Sequence, residues 1–514
     1  MLDGNRQIQV LGNFAGGVNL RVDPELLAPN EAVTLDNFYI DPVGKLTKRS
    51  GYVKFNTTPI TGTPIIQNLY RFYKEDRVTR YFLAAAGTAI YRADEGAGTW
   101  TAAHSGLSAT DEETHFATLY DRCFIANGVD VMLHTLDATT FSQAFTGTAP
   151  PILRYIISFR DRVWGAGNAI WPNYLFYSEA GDPQDWMAPG GLTGTVLDNS
   201  VVTASGEAIT GVAELRGYVL VFTANSVQRL IASGARTNWY FSMISGRSGA
   251  MSQKSIQEVS TPTAGNILMF IGKDNVYGTD GNTVFPMADK LDNDSPTSSL
   301  IKRINKTIAA GNPAICYDNK YRLSVGIDGS ATENHELVYD AMRDAWSTTS
   351  GIGARCYCAF LGEGENRRLF FGSSSADGLV YELEQGTNDD GTAIEATYLS
   401  PKFSQNRSHL YKRYGRLGAT TDGDNGTMIL TPIIDDVGQT ALPFTLGGNV
   451  TYRWNNTTWN GGLWEAPVPE ARSSDLPITA HGKWIQLQAY NTGANQPLKL
   501  TELRIQHGID ELYD

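Results

Sequence analysis

An all-β fold built on a β-propeller of six or seven blade-like units is the class this sequence predicts, with an extended N-terminal arm and a C-terminal β-sandwich. Three observations carry the prediction: a composition of strand and turn formers, one hairpin recurring at blade spacing, and a change of pattern near residue 386. The 514 residues include 52 glycines, 24 tyrosines, 20 phenylalanines and 10 tryptophans. Aromatic side chains suit pleated, half-buried strands, and glycine supplies the positive φ of tight turns. Hydrophobic residues make up 42% and charged residues 18%, which excludes the disordered and membrane-embedded classes.

The recurring hairpin is an apolar run, a charged or glycine turn, and a second apolar run. Its clearest copies are Ala117 to Asn127, Ile157 to Asn168, Val212 to Phe222 and Ala314 to Val325; looser ones span 69–84, 267–277 and 359–371. Turns near residues 76, 121, 161, 217, 265, 318 and 365 are 45, 40, 56, 48, 53 and 47 residues apart. Propeller blades, each a four-stranded antiparallel sheet, repeat at roughly 40–50 residues. A short, often tyrosine-rich strand follows each hairpin, as in Tyr174-Leu175-Phe176-Tyr177, Leu337-Val338-Tyr339 and Leu379-Val380-Tyr381. Several units close on a tryptophan beside small polar residues (Trp100, Trp346), expected on an outer strand between neighbouring blades. No long 3.6-residue apolar period appears, so helices should be few. A string of smaller sandwiches is the alternative, because any β-rich chain shows frequent hairpins.

These patterns divide the chain into an arm at 1–52, a propeller at 53–386 and a sandwich at 387–514. Alternating runs such as Trp484 to Tyr490 and Leu498 to Ile505 carry the period-2 signature of half-buried strands. Two stretches exceed what blades need, 181–207 and 234–257. Long loops in compact domains are usually functional, so Trp186, Trp239, Tyr240 and Arg247 are candidates for contacts with other subunits or a channel.

The formal net charge is −13, which argues against a surface that grips nucleic acid by neutralising phosphates. Cys123, Cys316, Cys356 and Cys358 form no CxxC pair; Cys356 and Cys358 should share one strand face as reduced, buried thiols. The polar start Met1-Leu2-Asp3-Gly4-Asn5-Arg6 lacks the apolar core of a signal peptide, and no apolar run approaches the ~20 residues of a membrane span. Assembly in a cytoplasm, with no membrane-spanning segment, is the expectation.

No catalytic, cofactor or metal constellation is legible. Asp94 to Trp100 approaches the Asp-box turn of sialidase propellers but has one residue too many and reads as a hairpin turn. Asp292/Asp294, Asp389/Asp390 and Asp422/Asp424 lie too close in sequence to face one another across a sugar. Asp422 to Gly426 lacks the later glutamate of a calcium loop. The seven histidines show no HxH or HExxH spacing, and Gly278 to Asn282 opens no helix that could cradle phosphate. The expectation is a non-enzyme without cofactors or metal.

The first fifty residues differ from the rest: Gly16-Gly17-Val18-Asn19, Pro24-Glu25-Leu26-Leu27, Glu31-Ala32, Asn37-Phe38, then Gly44-Lys45-Leu46-Thr47-Lys48-Arg49-Ser50-Gly51-Tyr52. Physically they read as an extended arm with a helical turn capped by Asn30 and a hairpin at Pro42-Val43-Gly44. Their order resembles the opening of the tail nozzle, or packaged-DNA stabilisation, proteins of short-tailed bacteriophages. That resemblance implies a non-enzymatic, homo-hexameric ring below the portal and adaptor of the virion tail, whose lumen retains and then conducts genomic DNA without specific binding. It implies an adaptor partner, with tail fibre or needle proteins as further neighbours, and assembly in the host bacterium's cytoplasm. Gly16, Gly17, Asn19, Pro24, Leu27, Arg49 and Gly51 are the candidate docking motif. Alternatives are a tail hub or neck protein of similar fold, or a carbohydrate-binding or carbohydrate-cleaving propeller.

Overall fold

Each repeat of the sequence becomes one four-stranded antiparallel sheet, and seven of them close into a ring in the computed structural model, which describes residues 7–108, 113–186, 200–234, 238–361, 366–405, 407–422, 426–446 and 472–509. The recurring hairpin joins the innermost strand of each blade to the second: Ile66–Tyr73 to Arg80–Ala86, His115–Leu119 to Arg122–Ala126, Tyr155–Phe159 to Arg162–Ala166, Ile209–Leu215 to Tyr218–Thr223, Gln257–Thr261 to Gly265–Ile271, Ala314–Tyr317 to Lys320–Val325, and Ala354–Leu361 to Arg367–Ser373. The last turn, 362–365, lies outside the described residues. Consecutive left-handed residues (Tyr120-Asp121, Arg216-Gly217, Asp318-Asn319) make several of these turns the tight type whose twist matches a hairpin.

Second strands sit between two blades and are buried on both faces, hence their continuous apolar runs. In Arg80–Ala86 of blade 1, Phe82, Ala84 and Ala86 pack toward blade 7, while Leu83 and Ala85 pack toward blade 2. Burying one such phenylalanine stabilises by about 1.5–3 kcal/mol. Trp100 meets the tryptophan expectation: it lies between blades 1 and 7, its ring 5.6 Å from Phe55 and 5.2 Å from Phe82. Cys356 and Cys358 face blade 1 from one side of their strand, and all four cysteines are free thiols. Burial pushes the Cys356 thiol up to about 11 and Cys358 to about 12, which keeps both protonated and inert. The hairpin tips are stitched around the ring: Asp121 accepts from Glu75 N, Tyr120 donates to Asp161, Arg160 to the Gly217 carbonyl, and Arg216 to that of Ala264.

Blade 7 is completed from elsewhere in the chain. Its three local strands end at Val380–Leu383, and the outer strand is Tyr52–Lys54, paired Tyr381↔Lys54, Glu382↔Val53 and Leu383↔Tyr52. The unit short of a local strand is therefore the seventh, one of the three looser copies of the repeat. Closing a ring with a strand from the opposite end of the domain makes the outermost blade depend on both ends.

The stretch read as an extended arm is woven into the remainder of the fold. Gln7–Leu11, Phe38–Ile40 and Leu46–Lys48 join Lys412–Asp422, Arg472–Gly482 and Lys499–Ile509 in one sandwich sheet. Thr34–Asp36 joins the other, between Ala396–Leu399 and the outer strand of blade 6, Ala345–Ser350, so that blade 6 and the sandwich share ten strands. The expected hairpin forms around Pro42 to Gly44. The expected helical turn at Asn30 does not, because Glu31–Ala32 pairs in parallel with Gly17–Val18. Helix is sparse, with one α-helical turn at Leu300–Arg303 and 3-10 turns at Gln253–Ser255, Asp289–Leu291 and Ala309–Gly311.

Candidate functional site

Two constellations of polar residues stand out, one at the joint between propeller and sandwich and one on the propeller axis. The joint is made by the very residues of the N-terminal motif. Gly16 has no room for a side chain, since a Cβ there would sit 2.6 Å from Glu31 Cγ. Gly17 (φ +65°) lies against the Trp346 backbone of blade 6, where a Cβ would come within 2.6 Å of its carbonyl oxygen. Asn19 is buried and donates to Glu31 Oε1 at 2.9 Å while its own Oδ1 accepts from Arg21 N. The Pro24 carbonyl accepts from Lys402 N of the sandwich, and Leu27 is buried. Asn37 donates to Ser350 Oγ and to the Glu395 carbonyl.

Arg49 completes the joint. It is 3% exposed, and its guanidinium meets Asp389 through two bonds of 2.7 and 2.6 Å. Burial opposes its charge, but that carboxylate outweighs it and raises the Arg49 pKa further. Gly51 passes so close to the Asn388 backbone that a Cβ would stand 1.8 Å from its carbonyl oxygen. Tyr52 then lays its ring edge-on against Phe371 (5.2 Å) and Tyr381 (5.0 Å) of blade 7. All seven motif residues thus make contacts within the chain, and Asp389, read in sequence as half of a linker carboxylate pair, is the partner of one of them. The other half, Asp390, pairs with Lys54 at 2.8 Å.

The second constellation was not legible in the sequence. Lys254 precedes the innermost strand of blade 5, yet its Nζ donates to the Gln67 carbonyl of blade 1 at 2.6 Å and lies 4.0 Å from Glu113 Oε1 beside blade 2. Those blades stand across the ring, so side chains cross the propeller axis at this mouth. Glu113 Oε2 is 3.5 Å from His115 Nε2, and Arg355 of blade 7 holds Glu333 at 2.9 Å. Burial alone would raise the Glu113 pKa; Lys254 and then His115 overcome it and hold the carboxyl down to about 2. Burial lowers His115, with Glu113 only partly offsetting it, so the imidazole stays neutral. The only sequence signal was Lys254 among small polar residues, and pairing across seven blades has no local signature.

The loop candidates divide. Trp186 is buried between blades 2 and 3, its Nε1 donating to the Pro183 carbonyl. Trp239 stacks on Trp164 (6.1 Å) and Tyr177 (5.1 Å) between blades 3 and 4. Both are packing residues, while Tyr240 and Arg247 are exposed. Pro189-Gly190-Gly191 and Thr237, in the same loops, lie outside the described residues, as does Asp424. Asp94 accepts from Gly96 N and Ala97 N, and Asp280 from Asn282 N and Thr283 N, both as hairpin turns. Asp292 accepts from Ser299 Oγ at 2.6 Å. Among the described residues no three His, Cys, Asp or Glu side chains are placed to hold a metal ion, and no helix is long and apolar enough to cross a membrane.

Architecturally the chain is a seven-bladed β-propeller joined to a β-sandwich. No family model and no curated protein matches it. Among solved structures it is similar to YCF48 from Cyanidioschyzon merolae, at 12% identity over 65% of this chain and 98% of that one, with a TM-score of 0.39. It is similar at 10% identity to a chain of a mitotic checkpoint complex (64% and 96% covered, TM-score 0.39) and at 11% to the computationally designed Ika8 protein (63% and 98%, TM-score 0.37). The propeller assignment rests on the seven sheets themselves.

Proposed function

We propose that this chain is a structural, ring-forming subunit of the tail nozzle of a short-tailed phage. The observation that carries the reading is the coincidence between resemblance and joint. Of the residues that resemble nozzle openings, Gly17, Asn37, Arg49 and Gly51 weld propeller to sandwich, while Gly16, Asn19 and Glu31 brace the N-terminal stretch beside them. Proteins sharing this two-part organisation need such a weld, so a shared motif at that place is a fold-specific signature rather than a generic one.

Two physical features support a conduit built from several copies. Lys254 and Glu113 cross the axis of the propeller, so a path for a duplex would run between subunits, not through one. A net charge of −13 offers passing DNA few phosphate-binding cations, each of which would add affinity and friction. Co-expression with a phage adaptor ring, followed by electron microscopy, tests the reading. A sixfold collar on the adaptor is expected; a chain that stays monomeric beside an intact adaptor ring overturns it.

A further inference from the structure

Between the hairpin tips of blades 6 and 7, under the strand Phe38–Ile40, lies a cavity of about 330 Å³ lined by Tyr39, Tyr317, Asp318, Lys320, Arg322, Arg367 and Glu384. Its floor is a buried network. Arg322, 2% exposed, donates to Glu384 Oε1 at 2.7 Å and to Glu336 Oε2 at 2.9 Å, and Tyr357 of blade 7 donates to the other oxygen of Glu336. Two donors on the floor are left over: among the described residues neither Arg322 Nε nor the buried Tyr39 hydroxyl has a hydrogen-bond partner. Burial raises the Tyr39 pKa far above its usual range, so that hydroxyl keeps its proton.

The rim alternates in charge. Arg367 rests its guanidinium 5.4 Å from the Tyr317 ring centre and meets no carboxylate among the described residues. Lys320 Nζ lies 5.6 Å from the Tyr39 ring and 3.3 Å from Asp318, an exposed carboxylate that weakens the pair. Two cations without firm partners therefore face two carboxylates, Asp318 and Glu384, across a space sized for one sugar ring. A phosphate dianion would meet those carboxylates with repulsion, and a neutral sugar would leave both cations unused. A monoanionic polyol satisfies all four groups: its carboxylate accepts from Arg367 and Lys320, and its hydroxyls donate to Asp318 and Glu384.

We propose that this cavity binds a hexuronic acid, as a free sugar or as a residue of an acidic polysaccharide. The site stands independently of the tail assignment. Ligand-observed saturation-transfer NMR on the full chain tests it, with D-glucuronate and D-galacturonate as probes and glucose and inorganic phosphate as comparators. Saturable uronate binding, weakened about tenfold by Arg367→Ala or Lys320→Ala and untouched by the distant Arg247→Ala, is expected for the loss of one charge-assisted hydrogen bond. Both substitutions lie on the rim, and circular dichroism establishes that the variants fold. Absence of uronate binding, equal binding of glucose or phosphate, or insensitivity to both substitutions overturns the proposal.

Discussion

Arg49 spends its whole guanidinium on one junction: two N–H groups reach Asp389, and the other three reach Asn37 Oδ1 and the carbonyls of Ser50 and Ser350. The residues it gathers belong to the N-terminal stretch, the outer strand of blade 6 and the linker into the sandwich. Removing one partner of a buried pair leaves an uncompensated charge, which costs about 3–5 kcal/mol. Arg49→Ala is expected to lose about that much in calorimetric unfolding. Arg49→Lys should not rescue it, since an ammonium cannot occupy the fork. Pairing either with Asp389→Ala should cost less than the sum of the single changes, and additivity would show that the two are not coupled.

Gly51 and Gly391 provide a matched test of why glycine is present. At Gly51 an added Cβ collides with the Asn388 carbonyl, whereas at Gly391 (φ +88°) nothing lies within 4 Å. Gly391→Ala should cost only about 1–2 kcal/mol of left-handed backbone strain. Gly51→Ala has to displace the linker from the closing strand of blade 7, and thermal shift should show a clearly larger loss.

The loop aromatics separate packing from assembly. Trp186→Ala leaves a cavity between blades 2 and 3 and should cost about 3–5 kcal/mol. Tyr240→Ala and Arg247→Ala, both exposed, should stay within about 0.5 kcal/mol of the parent. If the chain forms a ring through these loops, the exposed pair alone will change the particle size measured by light scattering while leaving the melting temperature unchanged.

Acid should loosen the propeller from its axis. The folded-state pKa of Glu113 is depressed from 4.5 to about 2, so its contribution is fully present above about 4.5 and is lost as pH falls toward 2. His115, also depressed, adds a loss in the same direction below its ordinary value of 6.5, because the unfolded chain takes up that proton more readily. Melting temperatures measured between pH 6 and 3 should fall for the parent. Glu113→Gln should start lower at pH 6, with Lys254 deprived of that carboxylate, and fall less steeply; parallel curves would exclude Glu113 as the titrating group.

Much of the propeller was readable because its signals are local. Every tight hairpin needs turn chemistry at its tip, and every second strand, buried on both faces, needs an apolar run such as Phe82-Leu83-Ala84-Ala85-Ala86. What could not be read was pairing between residues hundreds of positions apart. The arm looked extended because short strands such as Gln7–Leu11 and Thr34–Asp36 carry no sign of the distant strands that pair with them. Trp186 and Trp239 looked like loop residues because nothing in their flanking sequence shows that the preceding blade packs against them.

The sequence by itself determined the all-β class, the blade repeat and the reduced thiols, because backbone period and turn propensity act over a few residues. Only the tertiary structure decided that Tyr52–Lys54 closes the ring, that the N-terminal motif is the weld at Arg49 and Asp389, and that Lys254 crosses the axis to Glu113. Those outcomes depend on desolvation and on charges meeting in a low-dielectric interior, and neither exists until the chain has folded.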